Sequence, residues 1–226
     1  MSKVVVALDP PPKVEPESWV KERVNYLCEL VSSFKVGLPL VLRTGVSSLR
    51  NLFSVCSKPL IADLKLADIG DIMSYVVEVL ADAGVNAVIS HAFVGRRGAL
   101  DLLVMKSKEL GIKPILVVSM SHQGSTEFID KHLSEFVNVA LELRVWGVVA
   151  PATRKEVIGR VRELAGSELR IFSPGVGAQG AEPGSAICSG ADYEIVGRAV
   201  TNSPNPREAL QKIIYEQEKR VRECRS

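Results

Sequence analysis

The chain has 226 residues, with 28 Lys plus Arg against 26 Asp plus Glu and a formal charge of +2. That length suits one sizeable domain spanning 1–226, and no low-complexity or Pro/Ser-rich linker divides it. The near balance of charge excludes the broad field of a nucleic-acid or membrane-surface binder, so any anion must be bound locally. Cys28, Cys56, Cys188 and Cys224 lie far apart, with no C-x-x-C pair and no nearby histidine, and read as reduced packing residues. The first apolar run, of only about five residues, is too short for a signal peptide or a membrane span, which leads us to expect a cytoplasmic protein.

Apolar β-branched runs alternate with longer helical patterns through eight rounds, as repeated βαβ units do. The first strand covers 4–8 and stops at Pro10-Pro11-Pro12, because proline has no amide for the ladder. A helix follows over 16–32. The second strand is 34–37, and 40–53 carries a less regular helical pattern. The third strand, 60–66, leads to a helix over 69–83 that Gly84 should cap. Strand four is 86–90, closing on His91, and the helix after it ends at Gly111. Strand five is 114–118, followed by a polar loop, 119–125, and a helix over 127–144. Strand six is 146–150, with a helix starting at Pro151-Ala152-Thr153. Strand seven is 168–172, strand eight is 193–196, and a last amphipathic helix covers 206–223.

Eight such rounds predict a (β/α)8 barrel, with its chemistry on the loops that follow the strands. A doubly wound open sheet is the alternative, but its glycine-rich dinucleotide turn is missing: the first strand leads into Asp9-Pro10-Pro11-Pro12.

Charge collects where strands finish. Residues two apart on a strand share a face, so Ile61, Asp63 and Lys65 should point one way and Leu64 and Leu66 the other. An isolated Asp-x-Lys reads as an ordinary ion pair at a strand end. Here Asp68 follows three residues on, Asp9 ends the first strand and Lys35 sits in the second, so several charges meet at one rim. Burying any of them alone costs several kcal/mol, roughly, which calls for pairing or a cleft. Opposite them, Gly175-Val176-Gly177-Ala178-Gln179-Gly180 leaves strand seven and Gly197-Arg198 leaves strand eight. Glycine turns alone read as turn chemistry, but after the last two barrel strands they point to a phosphate cup. A rim of charge facing such a cup implies a phosphorylated small molecule, a sugar phosphate or a nucleotide.

At this point the chain resembles the archaeal-type orotidine 5'-monophosphate decarboxylase family over nearly its whole length. The resemblance rests on Asp63-Leu64-Lys65-Leu66-Ala67-Asp68, on Phe34-Lys35-Val36-Gly37, on Met120-Ser121-His122 with Gly124, and on Ser173-Pro174-Gly175-Val176-Gly177-Ala178-Gln179-Gly180. It implies a catalytic network of Lys35, Asp63, Lys65 and Asp68, with Asp68 contributed across a homodimer. It further implies that Asp9 and Lys35 hold ribose hydroxyls, Ser121 the pyrimidine amide and Arg198 the phosphate. Gln179 would bridge base and phosphate, and Pro174, Gly177 and Gly197 would also bind the substrate. No metal or organic cofactor is implied. One departure is Ile72, where the family commonly has a threonine that reaches the ribose across the dimer; this puts one substrate contact in doubt, not the network.

Two rivals remain. A hexulose-phosphate synthase or keto-gulonate-phosphate decarboxylase shares the Asp-x-Lys-x-x-Asp strand but is expected to hold magnesium with an acid where this chain has Lys35, and a lysine there repels a metal. A non-catalytic phosphate-ligand binder on the same barrel would gain nothing from so costly a charge network. His91, His122 and His132 share no metal-binding spacing, and His91 and His122 read as loop hydrogen-bonding groups. Trp19 and Trp146 read as packing residues.

Overall fold

In the computed structural model, which describes residues 2–225, the strand-helix alternation closes into a ring. In chain order come β1 (Val4–Ala7), α1 (Pro16–Leu27), β2 (Ser33–Gly37), α2 (Leu38–Thr44), α3 (Leu49–Leu52), β3 (Leu60–Leu66), α4 (Gly70–Asp82) and β4 (Ala87–His91). Then follow α5 (Asp101–Glu109), β5 (Lys113–Val117), α6 (Leu133–Glu142), β6 (Gly147–Val149), α7 (Lys155–Ala165) and β7 (Arg170–Val176). The chain finishes with α8 (Ser185–Cys188), β8 (Tyr193–Val196), α9 (Arg198–Thr201) and α10 (Pro206–Arg225). Every strand is parallel to the next, and β8 pairs with β1, so no edge is left open. This closure is the (β/α)8 barrel and rules out the open doubly wound sheet.

The period of two in each strand sorts side chains into two layers. On β1, Val5 and Ala7 face the barrel interior with Ile61, Ile89, Ile115 and Ile195. Val4, Val6 and Leu8 face outward into the larger cluster beneath the helices. Asp63 and Lys65 thus follow Ile61 toward the interior and the mouth, while Leu64 and Leu66 pack outward. At the other mouth the interior is stopped by aromatic rings, with Phe172 stacked 4.9 Å from Tyr193 and tilted 5.0 Å from Trp146. Trp146 is a packing residue there, as is Trp19, which is buried under Arg23.

Several boundaries differ from the sequence reading for local reasons. The helix expected over 16–32 ends at Leu27, and the one over 40–53 breaks at Gly45, whose φ of 77° leaves the helical region. The helix expected from 127 begins only at Leu133, because 123–127 and 129–132 form separate 3-10 turns. Pro151-Ala152-Thr153 precedes α7 rather than starting it, since the helix opens at Lys155. β7 runs on to Val176, so Pro174 and Gly175 belong to the strand end, not to a loop.

The cysteines correct the sequence reading outright. Cys28 is bonded to Cys56 and Cys188 to Cys224, with Cα atoms 5.8 and 6.0 Å apart, and no free cysteine remains. The first bridge ties the end of α1 to the segment after α3, and the second ties α8 to the end of α10. Partners 28 and 36 residues apart meet only through the packing of the helical layer, which spacing along the chain does not reveal.

Candidate functional site

β3 carries the chemistry because its far end leaves ideal strand geometry. Ile61 and Ala62 pair with Ala87 and Val88 of β4, but the next pair is Leu66 with Ser90. Four residues of β3 thus advance against two of β4, a bulge of the kind that re-aims side chains near active sites. Inside it Lys65 has φ 47°, the left-handed region, at a cost of about 1–3 kcal/mol for a residue with a Cβ. Ser90 steadies the bulge by donating its hydroxyl to the Leu66 carbonyl at 2.7 Å. The result aims the Lys65 ammonium back along its own strand, with Nζ 2.9 Å from Asp63 Oδ1 and 3.0 Å from Oδ2.

A chain of alternating charge continues from there. Lys35 Nζ lies 3.1 Å from Asp63 Oδ2 and 3.6 Å from Asp9 Oδ2. The side chains of Lys35 and Asp63 are only 9% and 11% exposed, while those of Lys65 and Asp9 are 38% and 41% exposed. The inner pair is shut away and the outer pair faces the cleft. Burial pushes the Lys35 ammonium down, but Asp63 and then Asp9 overcome it, leaving its pKa above the usual lysine value. Burial pushes the Asp63 carboxyl up, but Lys35 and then Lys65 hold it below the usual carboxylate value. Gly37 makes room: a Cβ there would sit 2.6 Å from Asp9 Oδ1.

His91 closes β4 beside this cluster. Burial lowers its pKa, Lys65 lowers it further and Asp63 opposes both, so the imidazole is held toward its neutral form. Its ring centroid is 4.6 Å from that of Phe93, and its buried Nδ1 has no hydrogen-bond partner among the described residues. The loop hydrogen bond expected from the sequence is therefore not made by that nitrogen.

β7, diametrically opposite β3 in the ring of eight, and β8 beside it supply the other wall. Gly175, Gly177 and Gly180 have φ of 112°, 78° and 97°, values that favour glycine. The turn they form is closed by Gly177 N donating to Ala181 O at 2.8 Å and Gly180 N to Gly177 O at 2.9 Å. A Cβ on Gly177 would lie 2.7 Å from the Ala199 Cβ, so its glycine lets the two loops meet. Arg198 is exposed at the start of α9 and has no ion pair among the described residues.

Between the walls lies a cleft of about 440 Å³. Of the residues expected from the sequence, it brings together Asp9, Lys35, Asp63, Lys65, Ser121, Pro174, Gln179, Gly197 and Arg198. Gly177 shapes the turn without lining the cleft, and its amide is already taken. Asp68 stands apart: it is exposed beyond the end of β3, and its Oδ1 accepts the Ile69 amide at 2.7 Å. Within one chain the charge cluster therefore has three strand-end members plus Asp9, not the fourth. Met120, Gly175 and Ala178, which lie in motifs the sequence singled out, also line the cleft, and so do Ser119 and Thr201, which sequence reasoning missed. It also missed Asp130 and Arg154 behind the wall; both lay in stretches read as the starts of helices, with nothing local to single them out. Among the described residues no three or more His, Cys, Asp or Glu side chains are grouped to hold a metal ion.

Residues 2–213 match the orotidine 5'-phosphate decarboxylase / HUMPS family. A curated relative from Aeropyrum pernix, named orotidine 5'-phosphate decarboxylase, is 46% identical over 213 residues, covering 93% of this chain and 86% of its own. The crystal structure of orotidine 5'-monophosphate decarboxylase from Sulfolobus solfataricus matches with a TM-score of 0.84 at 38% identity, over 98% of this chain and 100% of that one. The Methanocaldococcus jannaschii enzyme complexed with the inhibitor BMP matches with a TM-score of 0.88 at 33% identity, over 96% and 99% of the two chains. With its barrel, its Asp-Lys rim and its glycine turn, the chain belongs to the orotidine 5'-phosphate decarboxylase / HUMPS family.

Proposed function

We propose that the whole chain, 1–226, acts as one barrel domain that decarboxylates orotidine 5'-monophosphate to UMP and CO2. The observation that carries this reading is the Lys35–Asp63–Lys65 chain of charges on one wall of a cleft whose other wall offers Gln179 and an Arg198 with no ion pair among the described residues. The relatives' names and the inhibitor complex of the Methanocaldococcus jannaschii enzyme support the same substrate class.

The chemistry follows from the charges. As the bond from C6 to the carboxylate breaks, its electron pair stays on C6, in the plane of a ring that cannot delocalise it. A fixed cation beside C6 is what lowers the barrier. Lys65 serves as that cation and then donates a proton to C6, so that UMP leaves and the amine recovers its proton from water. Asp63 holds Lys65 in place and lies against the departing carboxylate. Asp9 and Lys35 bind the ribose hydroxyls, Ser121 the pyrimidine amide, Arg198 the phosphate, and Gln179 links phosphate to base. Pro174, Gly177 and Gly197 shape the backbone around the phosphate end. Binding energy from the remote phosphate is realised at the reacting end.

Asp68 completes the network from a second copy of the chain. Support comes from the exposed apolar side chains on the segments after β2, β3 and β4, namely Leu38, Leu42, Ile69, Ile72, Tyr75 and Phe93, which suit an isologous dimer face. Ile72 thus supplies packing area where the family has a polar group. Chains carrying Asp68→Ala and chains carrying Lys65→Ala, each inactive, should regain activity on mixing, because one mixed site is whole. No recovery despite subunit exchange would count against the shared site.

The magnesium-dependent sugar-phosphate reading is disfavoured by Lys35, which occupies the position an acid would need. A cytoplasmic location goes with this reading of the function, and no helix among the described residues is long and apolar enough to cross a membrane. Loss of orotidine 5'-monophosphate absorbance on adding the protein tests the proposal; ligand binding without turnover would leave only a binding protein.

A further inference from the structure

We infer that Asp130 is a positioning residue, which with Arg154 sets the segment 119–121 so that Ser121 meets the base of a bound nucleotide. The inference rests on the decarboxylase reading of the cleft. β5 ends at Val117, and the next two amides, of Val118 and Ser119, bond to the Val149 carbonyl at 3.2 and 3.3 Å. Beyond that point the ladder offers nothing, yet Ser119, Met120 and Ser121 all line the cleft. Their backbone is held from behind by side chains instead.

The Asp130 carboxylate is the centre of that support. Its Oδ1 accepts the hydroxyls of Ser119 at 2.7 Å and Ser125 at 2.8 Å, and its Oδ2 accepts Arg154 Nη1. Arg154 Nη2 donates to Ser119 Oγ at 3.0 Å and to the Met120 carbonyl, while Ser125 Oγ accepts the Met120 amide at 3.1 Å. Both backbone polar groups of Met120 are thereby tied to one half-buried ion pair, 16% and 18% exposed. The Asp130 carboxyl is pushed up by burial, but the hydrogen bonds from Arg154, Ser119 and Ser125 bring it below the usual carboxylate value, so it stays ionised at neutral pH. Ser121, one residue on, is exposed, and its hydroxyl makes no hydrogen bond among the described residues. The segment is rigid where it meets the barrel and free where it meets the ligand, as a specificity contact requires. Arg suits the task because its planar fork serves several acceptors at once, which a lysine ammonium cannot do with the same geometry.

A purely structural role would weaken every ligand of the cleft alike, whereas positioning of Ser121 concerns the base alone. The test is calorimetric binding of UMP and of ribose 5-phosphate to wild type, Asp130→Ala, Asp130→Asn, Ser121→Ala and the Asp130→Ala/Ser121→Ala double variant. UMP affinity should fall about tenfold in Asp130→Ala and less in Asp130→Asn, which keeps an acceptor for the hydroxyls. Ribose 5-phosphate affinity should stay within about twofold, and the double variant should bind UMP no worse than Ser121→Ala by more than about twofold. If Asp130→Ala does not fold, Arg154→Lys gives the same reading. Equal losses for both ligands, an unchanged UMP affinity, or fully additive losses would overturn the inference. Wild type that binds UMP and turns over substrate beside such a result would leave the decarboxylase reading standing; wild type that does neither would overturn both.

Discussion

Two carboxylates at the open end of this barrel, Asp63 and Asp130, are each gripped by cations, yet they are wired for different tasks. Asp63 is shared by two lysines, Lys35 at 3.1 Å and Lys65 at 2.9 Å, and the Lys65 side chain, which lines the cleft, remains 38% exposed. Asp130 is shared by one arginine and two serine hydroxyls, and every one of those donors also ties down backbone or a neighbour. A lysine is a movable point charge that can give up a proton, whereas an arginine is a fixed fork that cannot. The same carboxylate chemistry therefore provides a reactive charge on one side and a frame on the other.

The comparison breaks most sharply at Lys65. Lys65→Ala should reduce turnover by about 10⁴-fold or more, since stabilisation of the developing charge and proton donation are lost together, with the thermal transition near that of wild type. Steady-state kinetics beside a melting curve checks this; turnover near the wild-type rate would remove Lys65 from its role. A large effect of a different kind is expected at Asp63. Asp63→Asn leaves the buried Lys35 with only Asp9, at 3.6 Å, and should cost on the order of 3 kcal/mol of stability as well as activity. The sign of the pH dependence follows from the same pair. Asp63 has its folded pKa depressed, so its contribution is present above the unfolded carboxyl value and is lost as pH falls through the folded one. Lys35 is raised, so its contribution is present below the unfolded lysine value and is lost as pH rises through the folded one. Wild-type melting temperature should thus fall in acid below about pH 4, and Asp63→Asn should flatten that limb.

Much of this was legible in the chain, and the reasons are local. Alternation within 60–66 put Asp63 and Lys65 on one face, and the glycines after β7 marked the turn, because each signal needs only its own neighbours. What was not legible depends on partners distant in sequence. The bulge that turns Lys65 exists only in register with Ser90 of β4. The Asp130–Arg154 pair spans 24 residues between segments whose patterns read as helix. The disulfides join cysteines that the barrel, not their spacing, brings together. Gly45 broke a predicted helix because backbone angle overrode the apolar pattern.

Smaller effects sharpen the contrast between the reacting wall and its surroundings. Arg198→Ala should weaken binding of phosphorylated ligands by about 10- to 100-fold, as expected for one charge-assisted contact. Titration with UMP and uridine separates this from a general loss, since uridine binding should not change. Cys188→Ser, remote from the cleft, should leave kcat and KM as they are while lowering stability by about 3–4 kcal/mol, the chain-entropy value for a closed loop of this size. Denaturant titration of that variant reads the loss directly, and an unchanged midpoint would show that the bridge contributes nothing.

The most direct measurement is a crystal structure with UMP bound in the cleft. The Lys65 ammonium should lie about 3 to 3.5 Å from C6 of the pyrimidine, within reach for proton transfer, still bonded to Asp63, with the phosphate on Arg198. A Lys65 side chain turned away from the ring, or a nucleotide seated with its phosphate against the Asp-Lys wall, would contradict the mechanism.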